Sequence, residues 1–571
     1  MLFSAATSLR FWVSRSPALG RSRQLLVSCG LSLAATVAAI PALGAEVMTI
    51  AYGPLEVSVP LAELENYART GKLTGELSRY RGLLSPEQQA DLRQALNQRV
   101  DMSPTLVSQI AYSKTGDAVL KRLGAFIKSK DASNGLTALR ATVVQAAASS
   151  EGLTLLNLMR KFPTREIQVD VASGVKLATE VTTLLAQGDR MVLAVEAEAQ
   201  REMSQDAPVQ SLADLRQSGP YRWDTYRLDL KDERTLGDFA RNRQIPLDIY
   251  MPQGLKDGPA SVVLFSHGIA SDRNSLLYLA KHLASHGIAI AVPEHVGSND
   301  AKFQQFFDGV GDPPEPREAI DRPLDLSFVL DHLTQLAQTD SRFRGKINLD
   351  QVTAIGQSFG GYTVLALGGA ELNFSSLNQA CVAGEPRSFL NISLLLQCRI
   401  AELKGVPVTL ADPRVKAVMA INPLTSQVFS QAGLEKVAVP TLVVASSGDF
   451  IVPPSEEQLR PFTWLKVPQR YLAVMRNATH FSVLEPPAPG DKALPLPANL
   501  GGPDVKLTQG YMAALSVAFV KCHGAGDPAF EPYLSASYAR RLSQPAVPLS
   551  LVKRISADEL ERAAKAVAGS D

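Results

Sequence analysis

Val352-Thr353-Ala354-Ile355-Gly356-Gln357-Ser358-Phe359-Gly360-Gly361, running on into Tyr362 to Gly368, decides how this chain is read. An apolar β-rich run ends in glycine, a serine stands at the turn, and a helical stretch starts at once. A G-x-S-x-G set between strand and helix bends so tightly that small flanking residues relieve the clash and the serine points out of the sheet. The motif alone is common. Its place between strand and helix is what singles out Ser358 as a nucleophile over an ordinary N-cap serine.

Working outward, the rhythm from Tyr221 onward is strand then helix. Thr225–Leu230 and Ile245–Tyr250 read as antiparallel opening strands. Ser261–Ser266, Ile288–Val292, Val352–Ile355 and Val415–Ile421 each precede a turn and a helix, and Thr441–Ala445 and Arg470–Met475 follow late. Fully apolar runs of this length argue a mostly parallel sheet covered on both faces. The expected fold class is α/β.

A serine hydroxyl needs a base to take its proton, and the base needs an acid to hold its tautomer. On a sheet with this turn the partners follow in the order serine, acid, histidine. Two histidines follow Ser358. His480 lies just past the last strand, and His523 lies beyond a further helix where no strand end aims it at the turn. His480 is the expected base. Asp449 ends the Thr441–Ala445 run and is the expected acid, whereas Asp412 precedes its strand, at the wrong end of the sheet. An oxyanion hole needs two backbone N–H groups: Phe359, after the serine, and Ile269, in the loop Ser266-His267-Gly268-Ile269-Ala270, whose glycine permits close approach. His267 is expected to hold that loop, and Glu294-His295 to be structural or substrate-facing.

Residues 46–190 read as a mainly helical region of unknown role. Ser85-Pro86-Glu87-Gln88 is an N-cap, a first-turn proline and a capping-box glutamine. Helices are also expected after Ser103-Pro104, through Leu136 to Ala147 and through Leu153 to Met159, with short strands at Met48–Tyr52 and Ile167–Val171. Residues 191–220 are expected to be a polar helical linker, 221–523 the catalytic domain and 524–571 a C-terminal tail.

The 571 residues carry 57 Lys plus Arg against 56 Asp plus Glu, so no electrostatic footprint for nucleic acid exists. Four arginines, an apolar run from Leu25 to Ile40 and Ala42-Leu43-Gly44-Ala45 describe a signal peptide over 1–45. A retained anchor and lipidation at Cys29 are the alternatives; no later run is apolar enough for a membrane span. Cys381 and Cys398 enclose a short loop that an oxidising compartment could bridge, the other reading being buried thiols, and Cys522 is left over. No clustered Cys/His spacing occurs, so neither metal nor other cofactor is expected.

Residues about 245–365 resemble the plasma-type platelet-activating-factor acetylhydrolase branch of the α/β-hydrolases. Leu264-Phe265-Ser266-His267-Gly268, Leu283-Ala284-Ser285-His286-Gly287, Glu294-His295 and Gly356 to Gly361 carry the likeness. Pro440 to Asp449 and Thr479-His480-Phe481 are similar to cutinase-like polyester hydrolases. The resemblance implies a metal-free triad of Ser358, Asp449 and His480. It departs at Gln357, where histidine is common, a change expected to leave the triad alone. Tyr52-Gly53-Pro54-Leu55-Glu56 and Asn134-Gly135-Leu136 resemble a domain of unknown function that precedes such hydrolases in secreted proteins of photosynthetic bacteria.

Insertions at His295–Pro323, with Phe303, Phe306 and Phe307, and at Glu371–Pro413, with Leu394-Leu395-Leu396, are candidate roofs over the site. The expected activity is carboxylic-ester hydrolysis on a hydrophobic or lipid substrate. The alternatives are a peptidase of prolyl-oligopeptidase type and a hydrolase fold kept only for binding. A peptidase of that type would usually bring a β-propeller, and the first half lacks 40–45-residue strand repeats.

Overall fold

The computed structural model describes residues 44–566, except 53–54, 80, 84, 101, 131–133, 257, 384–390, 404, 407, 487–501 and 504. All but the last two residues of the expected leader, Cys29 included, lie outside the described residues. Among the described residues no helix is long and apolar enough to cross a membrane.

The first region is built on a small sheet. β1 (Val47–Tyr52) pairs antiparallel with β2 (Leu55–Pro60) and parallel with a strand at Glu166–Asp170. The longer helices between them are α1 (Leu61–Thr70), α2 (Pro86–Asn97), α3 (Pro104–Tyr112), α4 (Lys114–Phe126), α5 (Leu136–Ala147) and α6 (Leu155–Lys161), with a five-residue helix at Gly75–Arg79. Two-residue β3 (Ile127–Lys128) joins the Glu166–Asp170 strand, β4, giving the order β2-β1-β4-β3. The Ser85/Gln88 capping box starts α2 with Pro86 in its first turn. Leu64, Tyr67, Leu96, Leu139, Met159, Phe162 and Ile167 form a core separate from the rest of the chain's.

The linker expected at 191–220 is different in kind. One helix, α7 (Val171–Met203), runs unbroken through the expected boundary, and Met191, Val192, Val195 and Ala199 are buried in the larger core. Its Glu202 carboxylate accepts the Lys553 backbone N–H at 3.0 Å. The polar residues suggested a solvated spacer because only one face of this helix is apolar. That face packs against the larger core.

The larger sheet comprises β5 (Trp223–Asp232), β6 (Arg243–Pro252), β7 (Ala260–Ser266), β8 (Ala289–Pro293), β9 (Ile347–Gln357), β10 (Val415–Ile421), β11 (Thr441–Ser446), β12 (Arg470–Met475) and β13 (Leu549–Val552). Its order is β13-β12-β11-β10-β9-β7-β8-β6-β5. The strands from β8 across to β12 are parallel, and the edge strands are antiparallel. Every residue of β8 and β11 is buried, as a sheet with two covered faces requires. Helices α8 (Leu277–Ser285), α9 (Asp300–Phe307), α10 (Glu318–Thr339), α11 (Phe359–Leu367), α12 (Phe374–Ala383), α13 (Leu394–Ile400) and α14 (Val505–Phe519) fill the connections.

The tail expected at 524–571 is part of this fold. β13 pairs antiparallel with β12, and α15 (Ala557–Lys565) buries Leu560 and Ala564 in the same core as α7. The α/β pattern ended at β12 in sequence because an antiparallel edge strand needs no preceding crossover.

One side of the sheet is fastened by buried charge. Arg241, 3% exposed, reaches Asp232 of β5 at 2.5 Å and Asp321 and Asp325 of α10 at 2.6 and 2.5 Å. Removing one member of a buried ion cluster leaves its partners desolvated and uncompensated. Arg241→Met should therefore lower unfolding free energy by about 3–5 kcal/mol, read by urea denaturation, whereas a surface-like loss under about 1 kcal/mol would contradict the cluster's burial.

Candidate active site

Sheet register brings the site together. Ser266, the last residue of β7, is paired with Gly356 of β9, so the loops leaving these two strands emerge side by side. β7 connects on to β8 on one flank and has β9 on the other. The order of strands therefore reverses here, the position where open α/β sheets leave a crevice.

Ser358 sits at that crevice with φ 57° and ψ −119°. The left-handed region is costly for a residue with a Cβ and persists only where its surroundings impose it. They do: a Cβ on Gly356 would fall 2.1 Å from Gly360 O, and one on Gly360 would fall 1.9 Å from Ser266 O. The Ser358 side chain makes no cap hydrogen bond to α11, so it is not an N-cap serine.

Asp449 and His480 follow adjacent strands, β11 and β12, whose Ser446 and Met475 are register partners. His480 Nδ1 lies 2.6 Å from Asp449 Oδ2, with both residues buried. The other Asp449 oxygen accepts the N–H groups of Ile451 and Val452 at 2.9 and 2.8 Å. Its carboxylate is thus fully oriented, and the expected tautomer carries its proton on Nδ1. Asp412 is instead paired with Arg414, and His523 meets Tyr471 Oη at 3.1 Å.

Gln357 corrects the expectation that this position leaves the triad alone. Its side-chain nitrogen lies 3.2 Å from His480 Nε2 and donates to the His480 carbonyl at 3.3 Å. An amide NH₂ can make both contacts, and with the His480 proton on Nδ1 its Nε2 is the acceptor of one of them. No spacing rule signals this, because the side chain before the serine reaches a loop 123 residues away.

The Gly268 loop lies against the turn: a Cβ on Gly268 would stand 3.4 Å from Ser358 Cβ and 2.5 Å from Gln357 Oε1. His267 is buried and holds this loop. Its Nδ1–H donates to Gly268 O at 2.8 Å, and its Nε2 accepts the His295 backbone N–H at 3.0 Å. His295 is fully buried and therefore structural, not substrate-facing: Nε2 accepts from Ser266 Oγ at 3.0 Å and Nδ1 donates to Asp325 Oδ2 at 2.9 Å. Ser266, His295 and Asp325 thus form a buried serine–histidine–aspartate hydrogen-bond chain.

The Glu371–Pro413 insertion docks near the acid. Ser393 N–H donates to Ile451 O at 2.9 Å, and buried Glu457 accepts from Asn391, Gln397 and the Thr425 N–H at 2.5, 2.8 and 2.6 Å. Glu457 was not legible from sequence, since a lone glutamate in a loop carries no signal. Cys381 and Cys398 are bonded, with Cα atoms 5.5 Å apart, and Cys522 is free. α3 lies against α9, and α4 against α12 and α13, so the first region backs both insertions. Among the described residues no group of three or more His, Cys, Asp or Glu side chains is placed so that it could hold a metal ion.

A family model described as an alpha/beta hydrolase of unknown function (DUF1400) matches residues 44–170. The chain is similar to that family over the first region, and the description agrees with the mostly parallel sheet that follows it. No curated protein matches the chain.

Burial, with the Arg322 cation next, drives both His267 and His295 well below the ordinary 6.5. The unfolded chain therefore takes up these protons first as pH falls. Stability from the neutral rings is complete above about pH 6.5 and drops below it by about 1.4 kcal/mol per pH unit for each ring. Urea unfolding at about pH 7.5, 6 and 5 should show that decline, and a flat profile would rule out neutral burial of the two rings.

Proposed function

We propose that this protein is an exported serine hydrolase that cleaves carboxylic esters of hydrophobic or lipid character. The observation that carries the reading is the Asp449–His480 hydrogen bond of 2.6 Å at adjacent strand ends, beside a serine held at positive φ. The likeness to plasma-type platelet-activating-factor acetylhydrolases and cutinase-like esterases supports the same reaction. The basic, apolar leader and the Cys381–Cys398 bond support export.

In this reading Ser358 Oγ adds to the ester carbonyl as its proton passes to His480 Nε2, and Asp449 stabilises the imidazolium. Phe359 and Ile269 N–H groups receive the oxyanion; among the described residues neither donates to a backbone carbonyl outside regular elements. Collapse breaks the ester C–O bond, and His480 returns the proton to the departing alcohol. Water then adds to the acyl-enzyme through the same base, releasing the acid and restoring Ser358. The Gln357 amide must leave Nε2 before the first proton transfer.

Release of p-nitrophenol from acetate, butyrate and palmitate esters tests the proposal, with Ser358→Ala beside the wild type. Loss of the nucleophile should lower turnover by about 10⁶-fold, and equal activity in both would remove Ser358 from the mechanism. No release by either would favour the peptidase or binding alternatives. Gln357→Ala should raise kcat several-fold, since a hydrogen bond of about 1 kcal/mol no longer has to be broken. A fall in kcat would instead make Gln357 a support for the histidine.

A further inference from the structure

Arg322 of α10 is fully buried and lies directly behind the loop that carries Ile269. One Nη donates to the His267 carbonyl, and the guanidinium stands 4.7 Å from the centroid of the Phe359 ring. Its Nε and remaining Nη have no hydrogen-bond partner among the described residues. The carboxylates around it are already engaged. Asp325 is held by Arg241, Arg243 and His295, and Glu318 by Arg243 and Ser298. A buried cation short of partners is unfavourable for folding, and such a group in a native structure calls for an explanation.

Resting on the serine-hydrolase reading, we propose that Arg322 is a positioning residue whose charge stabilises the oxyanion through the His267–Ile269 backbone. The peptide units supply the route. Arg322 donates to the His267 carbonyl, whose peptide unit carries the Gly268 N–H, and the His267 ring separately donates to the next carbonyl, that of Gly268, at 2.8 Å. That second carbonyl shares its peptide unit with the Ile269 N–H. Donation at the carbonyl polarises the N–H across the bond, and chains of such bonds strengthen one another in a low-dielectric interior. Phe359, whose N–H is the other proposed donor, carries the ring over which the guanidinium lies. The cation thus holds the peptide next to the one that carries the Ile269 N–H and lies over the ring of the residue that supplies the other donor. Burial pushes the Arg322 guanidinium down to about 9, which still leaves it charged at neutral pH.

Three variants separate charge from packing: Arg322→Met, Arg322→Gln and Arg322→Lys. Each is read by kcat and KM on a p-nitrophenyl ester, by affinity for a boronic acid that forms a tetrahedral adduct on serine, and by thermal midpoint. The Met and Gln variants should lose about 10–100-fold in kcat with KM nearly unchanged, and boronate affinity should fall by the same factor. The Gln midpoint should not fall, because a donor to the His267 carbonyl remains while unpaired buried N–H groups disappear, whereas the Met midpoint should fall because that carbonyl loses its donor. Arg322→Lys should recover most of the loss. Should the Met variant not fold, the Gln variant decides, since it can keep the bond to His267 without the charge. Wild-type kcat and boronate affinity in folded Gln protein would overturn the role of Arg322. Labelling of Ser358 by a fluorophosphonate in the wild type is checked first: its absence would overturn the hydrolase reading and this proposal together, whereas labelling with an unaffected Gln variant would overturn only the latter.

Discussion

The backbone of β9 turns into α11 through Ser358 at positive φ, and the rest of the site depends on the closeness this demands. Gly360 comes so near the end of β7 that a methyl group there would overlap the Ser266 carbonyl. The same closeness sets the Gly268 loop beside the serine. Shape at this point is therefore a property of two neighbouring strands, and neither loop has its conformation alone. Packing continues outward from the turn: Phe359, Tyr362 and Phe429 stack at centroid distances of 5.3 and 4.9 Å, and the Tyr362 hydroxyl ties α11 to α10 at Ala319.

Beneath that turn lies an interior unusually rich in charge. Arg241 and Arg243 are interleaved with Asp232, Glu318, Asp321 and Asp325, with the buried Arg322 and two histidines alongside. Apolar residues of the same volume would fold as well or better. What a polar interior adds is directional constraint: the His267 and Gly268 carbonyls and both His267 ring nitrogens have specific partners in fixed geometry. Such constraint fixes the backbone of the Gly268 loop more closely than apolar packing of the same volume would.

The first region and the insertions form a second layer around the site. α3 and α4 lie against α9, α12 and α13, and α13 is hydrogen-bonded through Gln397 to Glu457, a few residues past Asp449. The segment matched by the hydrolase-family description thus packs against both insertions, although the large sheet lies outside it.

Periodicity and turn chemistry were legible in the chain itself. Fully apolar runs announced β8 and β11 because both faces of those strands are covered, and Gly356-Gln357-Ser358-Phe359-Gly360 announced the bend because no other residue types tolerate it. Asp449 and His480 stood out because strand ends are where loops converge. These are local properties, carried by a few consecutive side chains. The continuous helix α7, the edge strand β13, the Gln357 contact with His480, the inner Ser266–His295–Asp325 chain and the unpaired Arg322 belonged to the tertiary structure alone. Each joins residues tens to hundreds of positions apart, and only the packed sheet fixes which of many polar side chains meet.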